Sequence, residues 1–249
     1  MRLVAALALV LLALGAAVPA HAGPTLTLSL DDGPAGEAGP QKIATGLQIL
    51  LLLTVLTVAP ALVLMVTSFA RIVIVLAFVR QALSTNQLPP NQILVGLALL
   101  MTFFVMTPTW QAVNQHALQP YLNGEMSIGD AVKEGAAPLR TFMLKQTREK
   151  DLELFVGMTP GDRPRAPDEL PLTTVVPAFM ISELKTAFQM GFVIYLPFLV
   201  VDMVVASVLM SMGMLMLPPA MISLPFKILL FVLVDGWHLV VSSLLRSFS

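Results

Sequence analysis

Apolar and polar positions divide the chain into long blocks rather than a fine alternation. Ile43 to Ala70 is 28 residues without a charge, and after Arg71 the apolar character continues to Val79 and stops at Arg80. Pro89-Pro90-Asn91 resets the chain, and Ile93 to Val113 adds 21 further uncharged residues. Gly191 to Leu209 and Ile222 to Leu245 form a third and a fourth apolar block. A spanning helix needs about 20 apolar residues, so the pattern predicts an all-α membrane protein with about four hydrophobic segments. Pro60 is expected to kink the first, because a proline inside a helix removes a hydrogen bond. Gly213 and Pro218-Pro219 interrupt the chain between the last two, which predicts a helical hairpin.

The polar stretches complete the plan. Arg2, the apolar run Leu3 to Val18 and Ala20-His21-Ala22 have the layout of a signal peptide, residues 1–22, cut between Ala22 and Gly23. An uncleaved anchor is the alternative. Residues 23–42, with Asp31, Asp32 and Glu37, read as a flexible extracytoplasmic arm. Residues 43–113 hold the first two helical segments. Residues 114–185 hold 8 of the 14 basic and 10 of the 15 acidic residues, and read as a charged periplasmic helical insert. Ser127 to Asp130 resembles a helix start, and Pro160, Pro164, Pro167 and Pro171 mark a loop. Residues 186–249 form the C-terminal hairpin. With Gly23 outside, Arg71 and Arg80 are expected on the cytoplasmic side, and the insert and C-terminus outside.

Composition excludes several functions. The chain is 57% hydrophobic and 12% charged, with a mean hydropathy of +0.85. A soluble domain carries about 25% charged residues. With 14 basic against 15 acidic residues there is no basic excess to attract nucleic acid. No cysteine is present, and His21, His116 and His238 are scattered, so neither a cofactor nor a metal centre is implied. No phosphate-binding loop, zinc-protease signature or nucleophile elbow occurs, which argues against an enzyme.

Three charges stand inside apolar segments: Asp202, Lys227 and Asp235. Each costs about 2.5–3.5 kcal/mol at a helix centre unless it finds a partner or water. Folding the hairpin between Leu215 and Met216 brings Asp202 and Lys227 to depths that differ by about 3 Å at a 1.5 Å rise per residue. An ion pathway and structural pairing both remain open, and the lack of a chain of titratable groups favours pairing. Met210, Met212, Met214 and Met216 crowd into seven residues. Flexible apolar filler is one explanation; a deformable seal that lines a cavity is the other.

Several strings are specific beyond composition. Phe69-Ala70-Arg71-Ile72-Val73-Ile74-Val75-Leu76, Arg80-Gln81-Ala82-Leu83, Pro89-Pro90-Asn91-Gln92, Gly96 to Pro108 and Met214 to Trp237 resemble the FliP/SctR family of type III export-gate subunits, from about Leu47 onward. The wording is closer to the flagellar than to the virulence branch. The resemblance implies a ring, understood as five copies, with FliQ and FliR, alongside FlhA and FlhB, in the inner membrane at the flagellar basal body. Unfolded flagellar proteins would be its substrates. It further implies that a methionine-rich loop, here Gly213-Met214-Leu215-Met216 with Met210 and Met212 nearby, closes the channel. Leu215, in the middle of that loop, departs from the family's methionine-rich pattern. A lysine and an acid important for assembly map onto Lys227 and Glu183, so the resemblance ranks Glu183 ahead of Asp202 as the partner of Lys227. The corresponding virulence subunit and an ion-coupled transporter using Asp202, Lys227 and Asp235 are the alternatives.

Overall fold

The computed structural model describes residues 40–85, 88–158, 169–214 and 217–248, and every regular element among them is helical. The signal peptide, its cleavage point Ala22–Gly23 and nearly all of the arm lie outside the described residues. So do Pro160, Pro164 and Pro167 of the expected loop. The chain divides into two units, residues 1–52 and 53–249. Of the first unit, the described part is the opening turns of α1, Pro40–Met65.

In the second unit α1 runs through Pro60 without ending and stops at Met65. The break falls instead at residues 66–68, where Ile49–Met65 and Phe69–Ala82 meet at 67°. Thr67 accounts for it: its hydroxyl donates to the Leu64 carbonyl at 3.2 Å and accepts from the Phe69 N–H at 3.5 Å. Such local side-chain bonds offer the backbone an alternative to continuing the helix.

Helix α2, Phe69–Ala82, is the central stave. Ile72, Val75, Leu76 and Val79 are all fully buried, at the i, i+3, i+4, i+7 spacing of one helical face. It packs on α3, Asn91–Val113, and on α7, Leu172–Ser211. Helix α3 passes through a π-turn, Asn114–Leu118, into the short α4, Gln119–Leu122. The apolar core also takes in Leu94, Ala98, Phe198, Phe231, Leu244 and Phe248.

The charged insert folds as α5, Ile128–Gln146, and α6, Glu149–Met158. Ser127 caps α5 by accepting the Asp130 N–H at 3.2 Å. The joint between the two helices is fastened to α7 by Ser182, whose hydroxyl accepts the Arg148 N–H at 3.0 Å and donates to Asp151 at 2.7 Å. A second small core, Met143, Leu170, Val175 and Phe179, lies beneath them.

Two segment limits fall differently from the pattern of apolar blocks. The boundary at Lys185 lies inside α7, which is one helix of 40 residues although it contains Pro177 and Pro197. At 1.5 Å per residue it is about 60 Å long, twice the roughly 30 Å of a bilayer's hydrocarbon core. The last apolar block is two helices, α8, Pro219–Leu233, and α9, Gly236–Arg246, bent by 64°. Asp235 turns the chain with φ of +50°, and Gly236 lies so close to the Phe231 ring that a side chain there would collide with it. Prolines also lie inside α3, α5 and α8, as Pro108, Pro138 and Pro225. Among the described residues, two single helices, Asn91–Leu122 and Leu172–Ser211, are long and apolar enough to cross a membrane, or up to four spans if each bent pair counts as one.

The expected placement of Arg71 and Arg80 together, on the side away from the insert, does not fit the packing. Arg71 faces Gln146 of the insert and Ser247, whereas Arg80 sits at the far end of α2 and donates to Asn91 at 2.6 Å. Nine residues of helix separate them, about 13 Å.

Close packing of α2 on α7 depends on Gly191, because a Cβ there would overlap the Phe78 ring. Gly191→Ala is expected to destabilise the protein by about 1–3 kcal/mol, the usual range for overpacking. Thermal melting in detergent measures it, and adding Phe78→Leu should restore most of the loss; no rescue would place the strain elsewhere.

Candidate functional site

Two ion pairs and one loop make up the candidate site. The first pair is built on Arg71, near the start of α2 and only 2% exposed. Its Nε donates to Glu183 Oε2 at 2.9 Å, and Nη2 donates to Glu183 Oε1 in a close contact that makes the pair bidentate. Nη2 also donates to Gln146 Oε1 at 3.0 Å. Nη1 donates to the Ser247 carbonyl at 2.9 Å and to the Ser247 hydroxyl at 3.0 Å. Arginine has five N–H donors, and all five are taken. The ring of Phe248 covers the guanidinium, its centroid 4.0 Å from Cζ, in cation–π contact. Gln146 also donates to the Phe248 carbonyl at 3.3 Å. Phe248 in turn borders a cavity of about 540 Å³ between α3 and α5.

The second pair joins the hairpin. Lys227, fully buried on α8, places Nζ 2.6 Å from Asp202 Oδ2 on α7 and 2.7 Å from the Ser84 hydroxyl. Asp202 Oδ1 accepts from Ser223 at 2.5 Å, and the Asp202 side chain is 31% exposed. Of the two paired carboxylates, one is therefore dry and the other partly wet. Within the chain Glu183 pairs with Arg71 and not with Lys227, which leaves a neighbouring subunit as the way for Glu183 to meet Lys227. Glu183 lies beside Arg71 where α2 packs along α7, so the arginine takes its carboxylate. Asp202, at the depth that hairpin geometry assigns, holds Lys227.

The loop between α7 and α8 carries the methionines. Met210, Met212 and Met214 are exposed, and Gly213 turns the chain with φ of +75°, a conformation that favours glycine. Leu215 and Met216 lie outside the described residues. Below the loop, Val201, Val205, Val208, Leu209, Ile222 and Phe226 line an entirely apolar groove of about 480 Å³. Asp235 is exposed at the α8–α9 bend and has no part in the Lys227 cluster, so the three charges do not form a relay. Among the described residues no group of three or more His, Asp or Glu is placed to hold a metal ion.

Arg71, Gln146, Ser247 and Ser84 do not stand out in the sequence as site residues. The cost argument that singles out Asp202 and Lys227 applies equally to Arg71, a lone charge among apolar residues, and could have marked it. The other three are ordinary polar residues whose role exists only once distant segments meet.

A family model described as the FliP family matches residues 52–244. The chain is 58% identical over 209 residues to the flagellar biosynthetic protein FliP of Bacillus subtilis (strain 168), covering 84% of this chain and 95% of that one. It is 52% identical over 210 residues to that of Pectobacterium carotovorum subsp. carotovorum, with 84% and 81% covered. Against that of Aquifex aeolicus (strain VF5) it is 49% identical over 214 residues, with 85% and 90% covered.

Removing one member of a buried ion pair leaves an uncompensated charge and costs about 3–5 kcal/mol. Arg71→Met is expected to lose that much, and Arg71→Met with Glu183→Met to recover at least half. Thermal unfolding of the detergent-extracted protein reads both, and equal losses in the single and double variants would refute the pairing energy.

Proposed function

Because the chain belongs to the FliP family, we propose that it is a subunit of the flagellar type III export gate, a non-enzymatic channel component of the inner membrane. The observation that carries this reading is the match to flagellar relatives over most of both chains. The structure supports it in one respect: an apolar hairpin ends in a methionine-bearing loop. Several copies, taken as five, surround a channel together with FliQ and FliR, alongside FlhA and FlhB, and unfolded flagellar proteins pass through it. The insert and the C-terminal segment face the extracytoplasmic side.

In this reading Met210, Met212, Gly213, Met214, Leu215 and Met216 from each copy meet at the channel axis. Thioether side chains have three rotatable bonds and no polar hydrogen, so they close around one another and reopen for a passing chain. Glu183, Lys227 and Asp202 act in assembly through the shape that their two pairs impose on each subunit. The Arg71–Glu183 pair, with Gln146, sets α2 and the end of α5 against α7, and the Lys227–Asp202 pair sets the hairpin.

Two outcomes are expected. Alanine at both Met214 and Met216 should make the membrane leak small solutes, measured by dye or ion flux in cells; a sealed membrane with normal secretion would refute closure by this loop. Lys227→Ala should lower recovery of the oligomer, read by native mass measurement of the purified complex, and an intact ring at normal yield would sink the assembly role.

A further inference from the structure

The contact between Lys227 and Ser84 connects the C-terminal hairpin to the α2–α3 turn. Helix α2 ends at Ala82, and the backbone then passes through Ser84 with φ of +58°. That left-handed turn aims the Ser84 hydroxyl at Nζ of Lys227, 2.7 Å away. Asp202 and Ser223, the other members of the cluster, belong to α7 and α8 themselves. Within this cluster, Ser84 alone brings in a different part of the chain.

Beyond this level the described part of the hairpin is nearly bare. Among the described residues from Met203 to Ile222, only Leu209 is buried. Lys227 lies eight residues into α8, so about 12 Å of that helix extends past the cluster before the loop begins. Among the described residues, the tip is therefore a cantilever, attached to the rest of the subunit at its root.

We infer that Ser84 is a positioning residue for the hairpin tip: by accepting a hydrogen bond from the buried Lys227, it ties the tip to the α2–α3 turn. The geometry stands by itself; its consequence for closing a channel rests on the export-gate reading.

The test uses the full-length complex with Ser84→Gly and Ser84→Asn. Glycine removes the hydroxyl and relieves the left-handed backbone, whereas asparagine tolerates that backbone and returns a side-chain acceptor. Amide hydrogen exchange across residues 203–222 should rise about tenfold in Ser84→Gly, the effect of losing a hydrogen bond to a charged group, with α2 unchanged. Ser84→Asn should bring it back towards the parent protein. Unchanged tip exchange in Ser84→Gly overturns the inference, as does an equal rise throughout α2 and the hairpin. Solute leak separates the two readings: faster exchange with leak supports both, and faster exchange without leak keeps the positioning role and refutes the gate.

Discussion

A guanidinium buried in an apolar helix must have its donors satisfied, and at Arg71 that requirement gathers four parts of the chain. Glu183 must come from α7, Gln146 from the end of α5, and Ser247 and Phe248 from beyond α9. A lysine could not replace it, having three donors and no planar fork. Replacing such a pair by apolar residues is often neutral once desolvation is counted, whereas leaving one partner alone is costly. With Arg71 on Glu183 and Phe78 against Gly191, α2 and α7 run side by side in the same direction.

The two ion pairs differ in a way that suits their positions. Glu183 is wholly enclosed among four segments, while Asp202 keeps part of its carboxylate at the surface. The enclosed pair lies where the insert, α2 and α7 converge, and the partly open pair lies where packing gives way to the bare tip. Burial therefore declines along α7 from one charge cluster to the other.

Much of this was legible in the chain. Gly213 and Pro218-Pro219 marked the hairpin turn, because a left-handed glycine and a proline at a helix start act locally. Helical rise put Asp202 and Lys227 at similar depth and made their pairing feasible, although the family resemblance ranked Glu183 first. What escaped were features set by tertiary contact. Pro60, Pro177 and Pro197 were tolerated inside continuous helices, whereas Thr67 and Asp235, weaker signals, broke theirs. Arg71 looked like a membrane-flanking charge because nothing in its own segment reveals that Glu183, 112 residues away, will cover it.

The prolines inside α7 have a consequence for its surroundings. Pro197 has no N–H, so the carbonyl of Val193 lacks its intrahelical donor, and both residues are exposed. Hydrocarbon offers nothing to such an oxygen. That turn of the helix therefore has to find another donor, through a local tightening of the helix, a neighbouring side chain, water or another polypeptide, and lipid tails alone would leave it bare.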